Sequence, residues 1–221
     1  MNGLLSFILS MVCVVPLLVG LAKWRTVKKE YYPFIILMLA AFLTELIVGI
    51  GKHKFNNQEI YIPVYNLYFL EEYILYLMLF KNCTIINKKV FVSLIILGGI
   101  IQILELCFAG KDNFLEMFWK HFSIYTEIIL SLIIFFLSVK QLSMQIFKNA
   151  PFITNAENFI AIGTLLMKGY SILAFSFVAL RVSHLSSVLA YSIFQFLNPV
   201  CYLIFTWAIL CIPHRKKYQI L

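Results

Sequence analysis

Five glutamates and one lysine stand inside long apolar runs of this sequence: Glu45, Glu71, Glu72, Glu105, Glu127 and Lys168. Charged groups in hydrocarbon are costly, and they mark ion pairs, ligand sites or proton relays. One base cannot neutralise five acids. The surplus carboxylates must be protonated, hydrated or matched by a cation. At 1.5 Å per residue, Glu71, Glu72 and Lys168 fall near a bilayer midplane, Glu45 and Glu127 roughly 4 to 5 Å outward, and Glu105 roughly 9 Å outward. That grouping predicts one polar pocket in the outer half of a helical bundle.

Helical periodicity selects the members of this pocket. In the last apolar run Ser187, Tyr191, Gln195, Asn198 and Tyr202 form one stripe, with His184 above it. Thr164, Lys168 and Ser171 share a face, as do Ser123, Glu127, Ser131 and Ser138, and also Gly98, Gln102, Glu105 and Ala109. Tyr65, Asn66, Tyr68, Glu72, Tyr73 and Tyr76 share an arc, and Glu71 is turned about 100° away from Glu72. Glu72 is therefore the inward carboxylate and Glu71 a helix contact. The expected ligand or ion pocket comprises Glu45, Asn66, Glu72, Gln102, Glu105, Glu127, Lys168, Tyr191, Gln195 and Asn198. Stripes of Ser, Thr, Asn and Gln also join membrane helices by hydrogen bonds, so the acids, not the stripes, carry the functional expectation. Pro199 removes the hydrogen bond to the Gln195 carbonyl, and a static kink is expected there.

The elements that must hold these groups follow from composition. Of the 221 residues 62% are hydrophobic and only 13% charged, with a mean hydropathy of +0.91. A soluble domain is nearer half apolar and a quarter charged, and disorder requires low hydrophobicity. Seven apolar runs are expected as spanning helices: Leu4 to Ala22, Pro33 to Gly51, Tyr61 to Phe80, Val90 to Phe108, His121 to Val139, Asn158 to Leu180 and Leu185 to Leu210. Each is long enough to cross a ~30 Å hydrocarbon layer, and too continuous for barrel strands. Phe114, Leu115, Phe118 and Trp119 read as an interfacial lead-in to the fifth helix. The predicted fold class is an all-α integral membrane protein, one bundle of seven transmembrane helices.

Orientation follows from the basic residues. Lys23, Arg25, Lys28 and Lys29 come after the first run rather than before it, so that run reads as an anchor and not as a cleavable leader. With the N-terminus outside, twelve of the 18 Lys and Arg fall on inner connections and the tail. Five fall outside (Lys52, Lys54, Lys111, Lys120 and Arg181), and Lys168 lies in a span. The positive-inside rule selects N-terminus out, C-terminus cytoplasmic. The tail His214-Arg215-Lys216-Lys217 reads as an anchor for anionic lipid.

Several chemistries fail on residue type. The last span has no lysine for a retinal Schiff base. The four histidines sit near span ends and the only Asp is Asp112, so neither a closed metal site nor a Ser-His-Asp set assembles. Cys13, Cys83, Cys107, Cys201 and Cys211 lack metal or disulfide spacing. No catalytic residue, cofactor or metal is expected, and enzymatic function is not favoured. The excess of base belongs to membrane orientation, so no nucleic-acid partner is expected. The partners implied are the lipid bilayer and a small-molecule or cation ligand.

Thr44-Glu45, Pro63-Val64-Tyr65-Asn66 and Glu72 resemble the pattern of a group of small uncharacterised seven-helix membrane proteins of Bacteroidota-type bacteria. The likeness covers about the first third of the chain. It implies a bacterial inner-membrane location and no particular activity. The expected function is receptor-like or sensory, with an outward-facing pocket. The alternative is a secondary transporter or proton-coupled carrier using the same glutamates. A polar track continuing to the cytoplasmic end separates the two, because sensing needs a pocket closed below.

Overall fold

The computed structural model describes residues 3–54, 61–108, 122–147, 155–180 and 184–213. Among them the chain is all helical and forms seven rods. The first rod is α1 (Gly3–Ser10), a 3-10 turn (Met11–Cys13) and α2 (Val14–Lys23). The tighter turn has a local cause. Pro16 lacks an N–H and its ring crowds the carbonyl four residues earlier. The other six rods are α3 (Tyr32–Lys54), α4 (Tyr61–Asn82), α5 (Lys88–Phe108), α6 (Ile124–Phe147), α7 (Ala156–Ala179) and α8 (His184–Cys211), which contains Pro199.

The fifth rod departs most from its expected bounds. Helix α6 begins at Ile124 and runs to Phe147, well past Val139. Lys140, Gln141 and Gln145 end the apolar pattern without ending the helix, because the two glutamines are enclosed by protein and Lys140 reaches a neighbouring carbonyl. Gln141 and Gln145 are buried, and Lys140 donates to the Ile85 carbonyl at 3.0 Å. The lead-in at Phe114 to Trp119, His121 and the basic tail lie outside the described residues.

The rods α2, α3, α4, α6, α7 and α8 close a ring in which α8 returns to α2. Helix α5 packs against α4 and α6 and keeps most of its surface outward. Four stretches are long and apolar enough to cross a membrane: Lys29–Gly51, Lys88–Phe108, Ile124–Phe147 and Ala156–Ala179. Helix α4 is of another kind. It carries five tyrosines besides Glu71 and Glu72, and Tyr73, Tyr76, Leu77, Leu79 and Phe80 are completely buried. A helix walled by others can hold polar groups that a lipid-facing one cannot.

Small residues let the rods approach. A Cβ on Gly163 of α7 would collide with the Phe205 ring of α8, and one on Gly20 would lie 2.9 Å from Ile35. This close packing and the buried hydrogen bonds between rods hold the bundle.

One end of the bundle is tied by basic and amide side chains. Lys23 Nζ donates to the Ile209 and Leu210 carbonyls at 3.1 and 2.8 Å, capping the last turn of α8, where a cation is favourable. Asn82 Nδ2 donates to the Glu30 carbonyl at 3.2 Å. This is called the basic end below.

Candidate functional site

Helix α7 places Lys168 near its middle, and α4 does the same with Glu72. Their side chains meet across the ring, with Lys168 Nζ 2.7 Å from Glu72 Oε2. A second carboxylate, Glu127 in the first turn of α6, approaches the same nitrogen at 3.2 Å. All three side chains are 2–3% exposed. At 2% exposure Lys168 is shielded from solvent, and the two carboxylates are its counter-ions. Ser131, one turn along α6, donates to Glu127 Oε1 at 2.8 Å.

The triad carries two acids and one base. With all three ionised its net charge is negative, and one further proton or a monovalent cation makes it neutral. Glu72 Oε1 is buried with no hydrogen-bond partner among the described residues. A buried acceptor without a partner is rare. Glu45 accepts from Tyr65 Oη at 3.2 Å.

A second node surrounds the start of α6. The first N–H groups of a helix have no partner within it, and here they are satisfied from other rods. Asn66 Oδ1 accepts from the Ser123 N–H at 3.0 Å. Glu105 accepts the Tyr125 N–H on Oε1 at 3.1 Å and the Thr126 N–H on Oε2 at 2.6 Å. Gln102 Nε2 donates to Ser123 Oγ at 2.9 Å. Asn66, Gln102 and Glu105 thus gather where α6 begins, and Glu105 acts there as a cap from α5. Gln102 Oε1 and Thr126 Oγ1 are buried without a partner among the described residues. Asn198 is half-buried on α8, whereas the side chains of Tyr191 and Gln195 lie outside the described residues.

A third node, at the basic end, was invisible to the span-by-span reading. Glu157 in the first turn of α7 accepts from Tyr31 Oη at 3.2 Å and from Gln145 Nε2. Asn155 caps α7 by accepting the Glu157 N–H at 2.9 Å, and its Nδ2 donates to Gln145 Oε1 at 2.9 Å. The signal was present in the sequence. Glu127, Ser131, Ser138, Gln141 and Gln145 keep one helical register, which continues beyond the end of the expected span at Val139. In the turn after α4, burial pushes the Cys83 thiol up to about 12, with the Glu157 and Glu30 carboxylates adding to the rise. It is a protonated thiol at neutral pH, not a nucleophile.

Between the triad and the basic end, polar groups continue along the facing sides of α6 and α7. Thr164 Oγ1 donates to Tyr76 Oη at 3.3 Å. Thr164, Ser138, Gln141 and Asn158 are all buried, and neither amide atom of Gln141 has a partner among the described residues. Lys168 and Glu157 are about 16 Å apart along α7, and the seam runs between them.

Fold and site together define an all-α bundle with four helices of membrane-crossing length and apolarity, carrying a buried acid–base–acid triad on three of its rods. The chain matches no family model, no curated protein and no solved structure.

Proposed function

We propose that this chain is an integral protein of a bacterial inner membrane, with seven spans, N-terminus out and C-terminus cytoplasmic. In this reading it is a proton-coupled carrier for a small molecule or cation. Glu72, Lys168 and Glu127 are its proton-exchanging centre. The observation that carries the reading is the buried seam from the triad through Tyr76, Thr164 and Gln141 to Glu157. A receptor pocket open only outward would need no polar track below the triad. The outer groups also support a carrier over a receptor, since Asn66 and Glu105 are engaged in holding the start of α6.

The chemistry is charge compensation. Lys168 is held between two carboxylates, so protonating one leaves a neutral acid beside a neutral pair of Lys168 with the other. Oε1 of Glu72 receives the proton or the cationic group, and the exchange costs less than exposing a net charge to low dielectric. Loss of the proton toward the seam restores the negative triad. The orphaned amide of Gln141 is where water enters that path, because a water needs polar partners as well as room.

The test is labelling with a membrane-impermeant maleimide in oriented vesicles, with the native cysteines replaced by alanine. Gln141→Cys and Thr164→Cys are expected to label from the cytoplasmic side, and Glu72→Gln to change the rate at Thr164→Cys. Labelling that enters only from outside and stops at the triad overturns the carrier reading in favour of a receptor. Labelling of Gln141→Cys from the outer face reverses the topology.

A further inference from the structure

On the outer surface of the bundle, where α2 meets α3, there is a cleft of about 490 Å³. Leu21, Ile35, Ile36 and Leu39 are among its apolar walls, and Trp24 and Arg25 stand at its basic end. Its volume lies within the ~300–1,000 Å³ of small-ligand pockets. Leu21, Ile36 and Leu39 remain substantially exposed, so the cleft opens sideways, toward the acyl region in the membrane reading on which this inference rests.

Arg25 is held in place at its mouth. The Thr26 and Val27 N–H groups both donate to the Lys23 carbonyl, at 2.9 and 3.0 Å, closing a tight turn around it. Val27 is fully buried, and Lys23 is fastened to the end of α8. Trp24 stacks on Tyr32 with ring centroids 4.3 Å apart, and Tyr32 Oη donates to the Trp24 carbonyl at 3.4 Å. The exposed Arg25 side chain has no acidic partner among the described residues, and Lys28 and Lys29 follow close by. An arginine fork on a fixed turn suits a phosphate. A stacked Trp–Tyr pair beside it is the side-chain chemistry of a membrane–water interface.

From this juxtaposition we infer a specific site for an anionic phospholipid, with its phosphate on Arg25 and one acyl chain in the cleft. A second copy of this chain would bury the walls equally well, but it would set the basic residues of both copies together. The outward face of α5, with Val92, Ile96 and Ile100 exposed, is also apolar, but no cleft with a basic mouth accompanies it.

The experiment is native mass spectrometry of the full chain from mild detergent, offered phosphatidylglycerol and phosphatidylcholine with identical acyl chains. The wild type is expected to retain one phosphatidylglycerol, preferred about tenfold, because both lipids offer Arg25 a phosphate but the choline cation of phosphatidylcholine is set against the charge of that arginine. Arg25→Gln should bring the two lipids level. Leu39→Trp, which fills the cleft, should release both. The Lys28→Gln/Lys29→Gln double variant should keep the preference within about twofold, because diffuse attraction adds only a little per charge near a surface. Preference surviving in Arg25→Gln, or lost as fully in the double lysine variant, overturns the site. So does cross-linking of two copies through Ile36→Cys in phosphatidylcholine vesicles. A chain released from membranes by alkaline washing would instead defeat the membrane reading itself.

Discussion

Two acidic centres of this bundle are built on opposite principles. At the basic end Glu157 has both oxygens engaged, by Tyr31 and Gln145, and Asn155 orients Gln145 in turn. At the triad two carboxylates compete for one lysine, and an oxygen of Glu72 is left over. The first arrangement is a latch joining α6, α7 and the turn before α3. The second is unfinished, and the proposed exchange of a proton would use the oxygen left over. A satisfied network favours rigidity, and a half-satisfied buried one persists mainly where function uses it.

Lys168 is the sharpest place to break the contrast. Lys168→Met leaves two buried carboxylates facing each other, and a loss of about 3–5 kcal/mol is expected in detergent unfolding. Combining it with Glu72→Gln or Glu127→Gln should recover part of that loss by removing the repulsion between the two acids, and the triple change, which leaves no charge at the triad, should come close to neutral. Strict additivity in both double variants would mean that neither carboxylate is coupled to the lysine. At the latch, Glu157→Gln keeps an acceptor for Tyr31 but turns an NH₂ group toward Gln145, whose own amide is fixed by Asn155. An expected loss of about 1–2 kcal/mol, with unchanged maleimide labelling at Thr164→Cys, would keep the latch structural. A change in that labelling would make it part of the path.

Glu105→Gln tests whether this acid belongs to the ligand site or to the helix start. As a cap it should cost about 0.5–2 kcal/mol, whereas any ligand-dependent protection should survive. The smallest effect lies outside both centres. Thr84 holds φ at +61° in the turn after α4, where the Ile85 N–H closes on the Phe80 carbonyl at 2.8 Å and the Thr84 N–H on that of Lys81 at 3.1 Å. Glycine is the usual residue at this point of a helix end. Thr84→Gly should raise stability by about 0.5–1 kcal/mol and leave labelling at the seam untouched.

The all-helical class, the seven rods and the inward direction of Glu72 were legible from apolar run length and the 3.6-residue period. Those are local properties, since a helix repeats its own geometry whatever surrounds it. The period also put Glu127 and Lys168 on polar faces, and depth arithmetic brought them to similar levels. It placed Glu105 and Asn66 in the same pocket, because periodicity says which way a side chain leaves its own axis and nothing about what it meets. That α6 would begin within reach of α5, with unpaired N–H groups needing an acid, is a fact of the neighbouring rod. Gln141, Gln145 and Glu157 were passed over for the related reason that hydropathy ends a span where polar residues start. In the bundle those residues face protein, so the helix continues and they become its buried seam. Composition and period determined how many helices form and which face of each is polar; the packing of the rods decided which polar groups pair, which are used up as caps and which are left unsatisfied.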